Sequence, residues 1–406
     1  MVRGARDLTL QLIRIVVSVG LPILVMGGAA FGTNYYVSVT GSDGNNGLSA
    51  GAAWATFAHA DSHIAPGDTV HVLPGTYTKA VTVSTSGTST ARITWISDTT
   101  WGAKFVIAGA ADSCFFGTGS YVDYIGFDIT ENPTGGSCRI GLRDDGGFTT
   151  VQKNRVHDLN RDSNIQTCSS LGGAGILVTS QASGLNTATV NGNLVDNIGG
   201  QQSSFGAHTC VHIHNYYLSM SNLTVTNNIS VRALGYGYSF GGHPPGQVVT
   251  HYVAVNNAAI NSGYGAFYLK SDASANDVAS NNIVDQRTSG VVGFNSLYTS
   301  GTTTISHNLV YMPNGGTGYE NCGGCTVLNP LSGDPLFVSY TGEATGDYHL
   351  QSGSPAIDTG TASNAPSSDF DGNPRPQGAG YDIGAYEFGN GSSTIAPPTS
   401  LTAVVH

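Results

Sequence analysis

The chain has 406 residues, with 15 Lys and Arg against 26 Asp and Glu, for a formal net charge of −11. That balance disfavours nucleic acid as a partner, because phosphate binding needs a basic surface. It leaves room for an acidic sugar polymer, which needs only a local basic groove. Charged residues make up 10% and hydrophobic residues 40%, with Val, Ile, Thr and Tyr runs between polar clusters, which excludes a disordered chain.

In chain order, residues 1–30 read as a signal peptide. Arg3 and Arg6 precede an apolar stretch from Ile15 to Met26, then the small residues Gly27 to Ala30. Ile15 to Ala30 is 16 residues, short of the ~20 that span a bilayer, although an uncleaved anchor is the rival reading. The expected location is secreted, periplasmic or cell-surface, with no membrane association after cleavage. Six cysteines suit that compartment. Cys322-Gly-Gly-Cys325 reads as a disulfide-closed turn, and the pairing among Cys114, Cys138, Cys168 and Cys210 stays open.

Residues 31–67 form an N-terminal cap. A strand at 34–40 and a Gly/Asn/Asp turn at 41–47 lead to a short amphipathic helix from Trp54 to Ile64. That helix would lie across the open end of a stack of strands and cover its backbone edge.

Residues 68–350 carry a repeat: an apolar residue, one or two others, an Asn, then usually apolar residues. The anchors are Asn154, Asn193, Asn228, Asn257, Asn282 and Asn308, at intervals of 39, 35, 29, 25 and 26 residues. Such a period marks a solenoid. Strand-like runs alternate with turns and no second helical period occurs. The fold class is therefore all-β: a single-stranded right-handed parallel β-helix with a short N-terminal capping helix and a C-terminal cap. The asparagines stack at one corner and hydrogen-bond along the axis. Residues 351–388 form the C-terminal cap, and 389–406 a Gly/Ser/Thr/Pro-rich linker and tail.

The opening Tyr35-Tyr-Val-Ser-Val-Thr-Gly-Ser-Asp-Gly-Asn-Asn-Gly47, with Trp54-Ala-Thr-Phe57 and Pro66-Gly-Asp-Thr-Val-His-Val-Leu-Pro-Gly-Thr-Tyr77, resembles the N-terminal cap and first coil of the pectate-lyase-like β-helix superfamily. Pectate, alginate and chondroitin lyases of this fold share such openings. The segments from Asp369 to Pro376 and from Asp382 to Phe388 resemble the C-terminal end of exported bacterial β-helix repeat proteins. The resemblance implies architecture more than activity. The chain lacks the aspartate pairs of the polygalacturonase branch and the tight aspartate cluster that holds calcium in several pectate lyases.

The repeat serves as a ruler for the site. Stepping back 12 to 16 residues from each anchor places Thr179, His214, Gly241, Lys270 and Asn295 in one row. Alternation then points Ile176, Val178, Val211, Ile213, Tyr238, Phe240, Phe267, Leu269, Val292 and Phe294 inward. His212, His214, Ser239, Gly241, Tyr268, Lys270, Gly293 and Asn295 point outward with Leu177 and Thr179. Coils lie ~4.8 Å apart, so a groove floor of Gly and Ser separates His214 from Lys270.

β-Elimination of a uronate polymer needs a cation to neutralise the carboxylate, a base for the adjacent C–H and an acid for the leaving oxygen. Lys270 suits base or neutraliser, His214 or His212 base, and Tyr268 acid. Arg232 and His243 in adjoining turns suit contacts to substrate carboxylates, with Asn295 beside them. The competing reading makes the two histidines stacked polar surface residues and Lys270 a surface charge. His157, Asp158, Arg161 and Asp162 read as a solvated turn. Asp196 and Asp285 share a corner three coils apart, on the order of 14 Å, outside the range for glycoside hydrolysis. Asp272 is the one acid near the groove. Asp369-Phe-Asp-Gly-Asn373 alternates oxygen ligands but lacks the closing Glu of a calcium loop, so it reads as a structural turn. No metal site or cofactor is assigned, and calcium stays open. The sequence thus points to an exported, monomeric polysaccharide lyase acting on an acidic, uronate-containing polysaccharide. A non-catalytic carbohydrate-binding or surface protein is the alternative, and a glycoside hydrolase or epimerase the third reading.

Overall fold

The computed structural model describes residues 32–179, 187–200, 210–241, 249–271, 276–298 and 303–389. All belong to the compact unit that begins at Gly32. The expected signal peptide and nearly all of the tail lie outside the described residues. Three long sheets of 11, 10 and nine strands run side by side, each taking one strand from nearly every coil. Their pairings are parallel throughout, as a parallel β-helix requires.

The asparagine anchors form the expected ladder. From Asn193 through Asn308 each Oδ1 accepts from the backbone N–H of the preceding anchor at 2.8–3.0 Å, and Asn154 Oδ1 accepts from Phe127 N–H at 2.9 Å. Each Nδ2 reaches a backbone carbonyl, as Asn257 does to Val225 at 2.9 Å. The residue before each anchor turns the corner in the left-handed region: Lys153, Gly192, Asn227, Asn256, Asn281 and His307 have φ between 51° and 64°. Asn tolerates that conformation because its short side chain bonds locally. The doublets Asn227-Asn228, Asn256-Asn257 and Asn281-Asn282 therefore split their work. The second Asn feeds the ladder, and the first faces outward.

The interior is a column of flat rings. Tyr216, Tyr238, Phe267, Phe294 and Tyr319 stack one per coil, with centroids 4.7, 4.7, 4.9 and 5.5 Å apart. The Tyr216 and Tyr238 hydroxyls donate to backbone carbonyls at the ladder corner, so their polar ends are satisfied. Burying each ring contributes about 1.5–3 kcal/mol.

The cap differs in detail from expectation. The first strand is Asn34–Val37 and the helix is the single turn-and-a-half Phe57–Asp61. Trp54, Phe57 and Ile64 still bury in the core. A second short helix, Ser163–Gln166, carries no amphipathic period and escaped the sequence reading. The expected solvated turn is instead an ion-paired cluster: His157 bonds Asp128 at 3.0 Å and Asp158 at 2.7 Å. Arg161 donates to the carbonyls of Gly136 and Pro133, and Asp162 caps the second helix.

The closing segment lies along the outer face of the 10-stranded sheet. Phe337, Tyr348, Leu350, Ile383 and Ala385 pack on Leu194, Ile229, Ala258, Ile283 and Leu309 in a second apolar layer. The outward asparagines grip it. Asn227 donates to Ser368 O, Asn256 to Asp382 O and Gly384 O, and Asn281 to Thr361 O. Asp369 is buried and accepts from the backbone of Asn373 and Glu387, the structural turn expected. All six cysteines pair: Cys114–Cys138, Cys168–Cys210 and Cys322–Cys325.

Candidate functional site

The nine-stranded sheet carries the site on its outer face. Its strands include Ser137–Asp144, Gly173–Thr179, Ile213–Ser219, Tyr236–Phe240, Gly265–Ser271, Val291–Tyr298 and Gly316–Glu320. Strict alternation holds only over their later halves. Ile176 and Val178 are core, yet Ala174, of the same parity, lies outside with Ile140 and Leu177. The sheet kinks where small residues meet: a Cβ on Gly175 would lie 2.3 Å from Val195 and 2.9 Å from Asn215 O. Only a residue without a side chain fits that approach.

The kink corrects the row deduced from the anchors. His214 aligns with Ala174 and Tyr236, not with Thr179 and Gly241. Asn295 aligns with Tyr268, and Lys270 with Leu297. One outward row reads Arg143, Leu177, Tyr217, Ser239, Tyr268, Asn295, Glu320. The inward expectations for Ile176, Val178, Ile213, Tyr238, Phe240, Phe267, Leu269 and Phe294 match the core. Val211 and Val292 are corrections. Val211 lines the outer groove because it lies in the turn before its strand, and Val292 shares the row of His214 and Tyr236 through Gly265 because it precedes the kink.

The groove has a volume of about 510 Å³ and brings together His212, His214, Tyr268, Lys270 and Asn295. Arg232 is not among them. It follows a strand of the 10-stranded sheet, where it pairs with Asp196 at 2.5 Å and Glu343 at 3.0 Å, so its guanidinium is committed elsewhere. His243 and Asp272 lie outside the described residues. Asp196 and Asp285 do stand three coils apart on one sheet, each bound to its own arginine.

The sequence reading missed most of the aromatic lining: Tyr217, Tyr236 and Tyr264, with Glu320 and Asn321 at one end. Tyr236 is the hub, 4.9 Å from Tyr264, 5.0 Å from Tyr268 and 6.1 Å from His214 between centroids. Its hydroxyl accepts from Asn295 Nδ2 at 3.0 Å, and Asn295 Oδ1 accepts from Asn321 Nδ2 at 3.1 Å. Asn295 thus holds a tyrosine in place. A recurring signal, Gly235-Tyr-Gly and Gly263-Tyr-Gly, marks Tyr236 and Tyr264 in the sequence.

Electrostatics separate the two histidines. His214 is buried, and that burial, with His212 nearby, pushes its imidazole down to about 3. Burial thus favours its neutral form. His212 is exposed at the groove mouth. Burial and the neighbouring Tyr268 push the Tyr217 phenol up to about 12, and burial, then Tyr264, raises Tyr236 further. These phenols stay protonated and serve as hydrogen-bond donors.

Among the described residues Glu320 is the one carboxylate lining the groove, where glycoside hydrolysis needs two. Calcium takes six to eight oxygens, usually with several carboxylates, and the groove's donor set does not fit it. No group of three or more His, Cys, Asp or Glu converges among the described residues.

No family model matches the chain, and no curated protein matches it in sequence. Among solved structures, the pectate lyase Pel9A matches with a TM-score of 0.53 at 18% identity, covering 88% of this chain and 97% of that one. XylC in complex with xylose matches with a TM-score of 0.47 at 11% identity, covering 73% and 70%. A rhamnogalacturonan lyase matches at 0.41 and 13%, covering 69% of each chain. At such identities the first likeness establishes fold: the chain has the pectate-lyase-like parallel β-helix that its cap motifs resembled.

Proposed function

We propose that this pectate-lyase-like β-helix protein is an exported polysaccharide lyase that cleaves an acidic, uronate-containing polysaccharide by β-elimination in the groove. One observation carries the reading: a cation, an exposed histidine and four phenols line a single groove on the outer sheet face. Lys270 neutralises the uronate carboxylate, which acidifies the adjacent C–H. His212 takes that proton. The electron pair forms the carbon–carbon double bond, the glycosidic C–O bond breaks, and Tyr268 protonates the leaving oxygen. Stacked tyrosines supply flat, partly polar surfaces for sugar rings.

The three disulfides suit an oxidising compartment, in keeping with export. No helix among the described residues is long and apolar enough to cross a membrane.

The test is the ultraviolet absorbance of the unsaturated product over pectate, alginate and chondroitin-type polymers, with and without calcium. Product that disappears in Lys270→Ala supports the reading. The wealth of tyrosine favours one second reading, a binding protein without catalysis. Saturable polymer binding with no absorbance change in any arm selects it.

A further inference from the structure

Beside the groove lies a smaller pocket of about 100 Å³. His212, His214 and Tyr217 line both, so they form the shared wall. The floor is apolar: Ile140, Ala174 and Leu177 form a cluster of their own outside the main core. Arg139, Arg143 and the exposed Leu171 line it as well.

Three features define what fits. First, size: a cavity of about 150 Å³ holds benzene, so this pocket is too small for a sugar ring and suits a group of a few heavy atoms. Second, charge: each arginine is already matched. Arg139 pairs with Asp112 at 2.7 Å, and Arg143 with Asp112 at 3.1 Å and Asp145 at 2.6 Å. A further anion would leave the cluster net negative, so the occupant is uncharged. Third, a vacant hydrogen bond: His214 is 5% exposed, and its Nδ1 has no partner among the described residues. An unpaired buried nitrogen is costly unless a ligand meets it.

We propose that the small pocket is a subsite for an acetyl substituent on the polysaccharide bound in the adjoining groove. The methyl group rests on Ile140, Ala174 and Leu177. The carbonyl oxygen accepts from the His214 imidazole, which lines the pocket and carries one N–H when neutral. This rests on the groove being a polysaccharide site and narrows the substrate to an acetylated polymer. The acetyl group could sit on nitrogen or on oxygen, and the chemistry of recognition is the same.

The test uses matched oligosaccharides on the full protein. One pair is an unsulfated N-acetylhexosamine–uronate oligomer and its N-deacetylated form. The other is an O-acetylated oligouronate and its saponified form. Calorimetry should show at least one acetylated member binding about tenfold tighter than its mate, and which pair responds identifies the linkage. The His214 ring nitrogens should shift in NMR on adding that sugar. Leu171→Trp fills the pocket from its exposed rim. It should erase the preference and leave affinity for the deacetylated member unchanged. Equal affinity within both pairs, or no His214 response to any acetylated sugar, overturns the subsite. An acetyl preference without elimination product sinks the lyase reading and leaves the subsite standing.

Discussion

His212 and His214 are two residues apart, yet one meets water and the other a buried wall, and their uses diverge accordingly. With His212 as the base, His212→Ala should abolish elimination and change polymer affinity little, whereas His214→Asn should lower affinity and leave elimination measurable. Tyr268→Phe should reduce elimination about a hundredfold or more with a smaller change in KM, as loss of a general acid does. A third histidine acts on stability. For His157, burial opposes the charge, but the hydrogen bonds to Asp128 and Asp158 outweigh it and raise the pKa from 6.5 to about 9. A raised histidine stabilises the fold fully below about 6.5, and that contribution fades as pH climbs through about 9. Its partner Asp128, held down to about 2 by Arg155 and His157 against its own burial, contributes above its ordinary range and loses that only in strong acid. His157→Gln should therefore cost on the order of 2 kcal/mol at pH 6 after screening, and almost nothing at pH 10. Urea unfolding at the two pH values measures the difference.

At the scale of the coil, the ladder and the kink explain what was legible. The anchor asparagines could be read because one chemical requirement recurs: a side chain that both accepts from and donates to backbone at a buried corner. Removing one from the middle should show it. Asn257→Ala strands the Asn228 backbone N–H and the Val225 carbonyl, and each unsatisfied group costs about 1–3 kcal/mol. Loss of about 3 kcal/mol is expected by denaturant unfolding. Asn154→Ala should cost a similar amount, since it strands the Phe127 backbone N–H and the Tyr124 carbonyl. The same ruler misplaced His214 and Asn295 because the chain between ladder and outer sheet varies in length from coil to coil. It also assumed a period of two through a strand that reverses its faces near Gly175. Lys270 and Tyr268 survived the error, since they lie beyond the kink, where alternation holds. Tyr217 and Tyr236 flank it and were lost. A one-residue change of phase moves every side chain to the other face, so a local steric fact about glycine limited the reading of the site.

Across the whole molecule, the outer groove and the outer apolar layer are two solutions to one problem. A β-helix buries one face of every strand and leaves the other to solvent. On the nine-stranded sheet the outer face stays open and polar enough to receive a ligand. On the 10-stranded sheet Leu194, Ile229, Ile283 and Leu309 face outward, and the chain after the last coil covers them. The outward asparagines at 227, 256 and 281 and the buried Arg375–Glu387 pair at 2.7 Å hold that cover down. Deleting residues 334–406 should therefore leave the coils paired but expose an apolar stripe that soluble monomers avoid. Expected outcomes are retained far-ultraviolet β-signal, strong binding of a hydrophobic dye and concentration-dependent association in light scattering. A truncated chain that stays monomeric and dye-silent would mean the segment contributes little cover. Because the segment packs on a different sheet from the groove, freshly prepared truncated protein should keep its affinity for the groove ligand while losing solubility. Measuring both on one sample separates a protective layer from a part of the site.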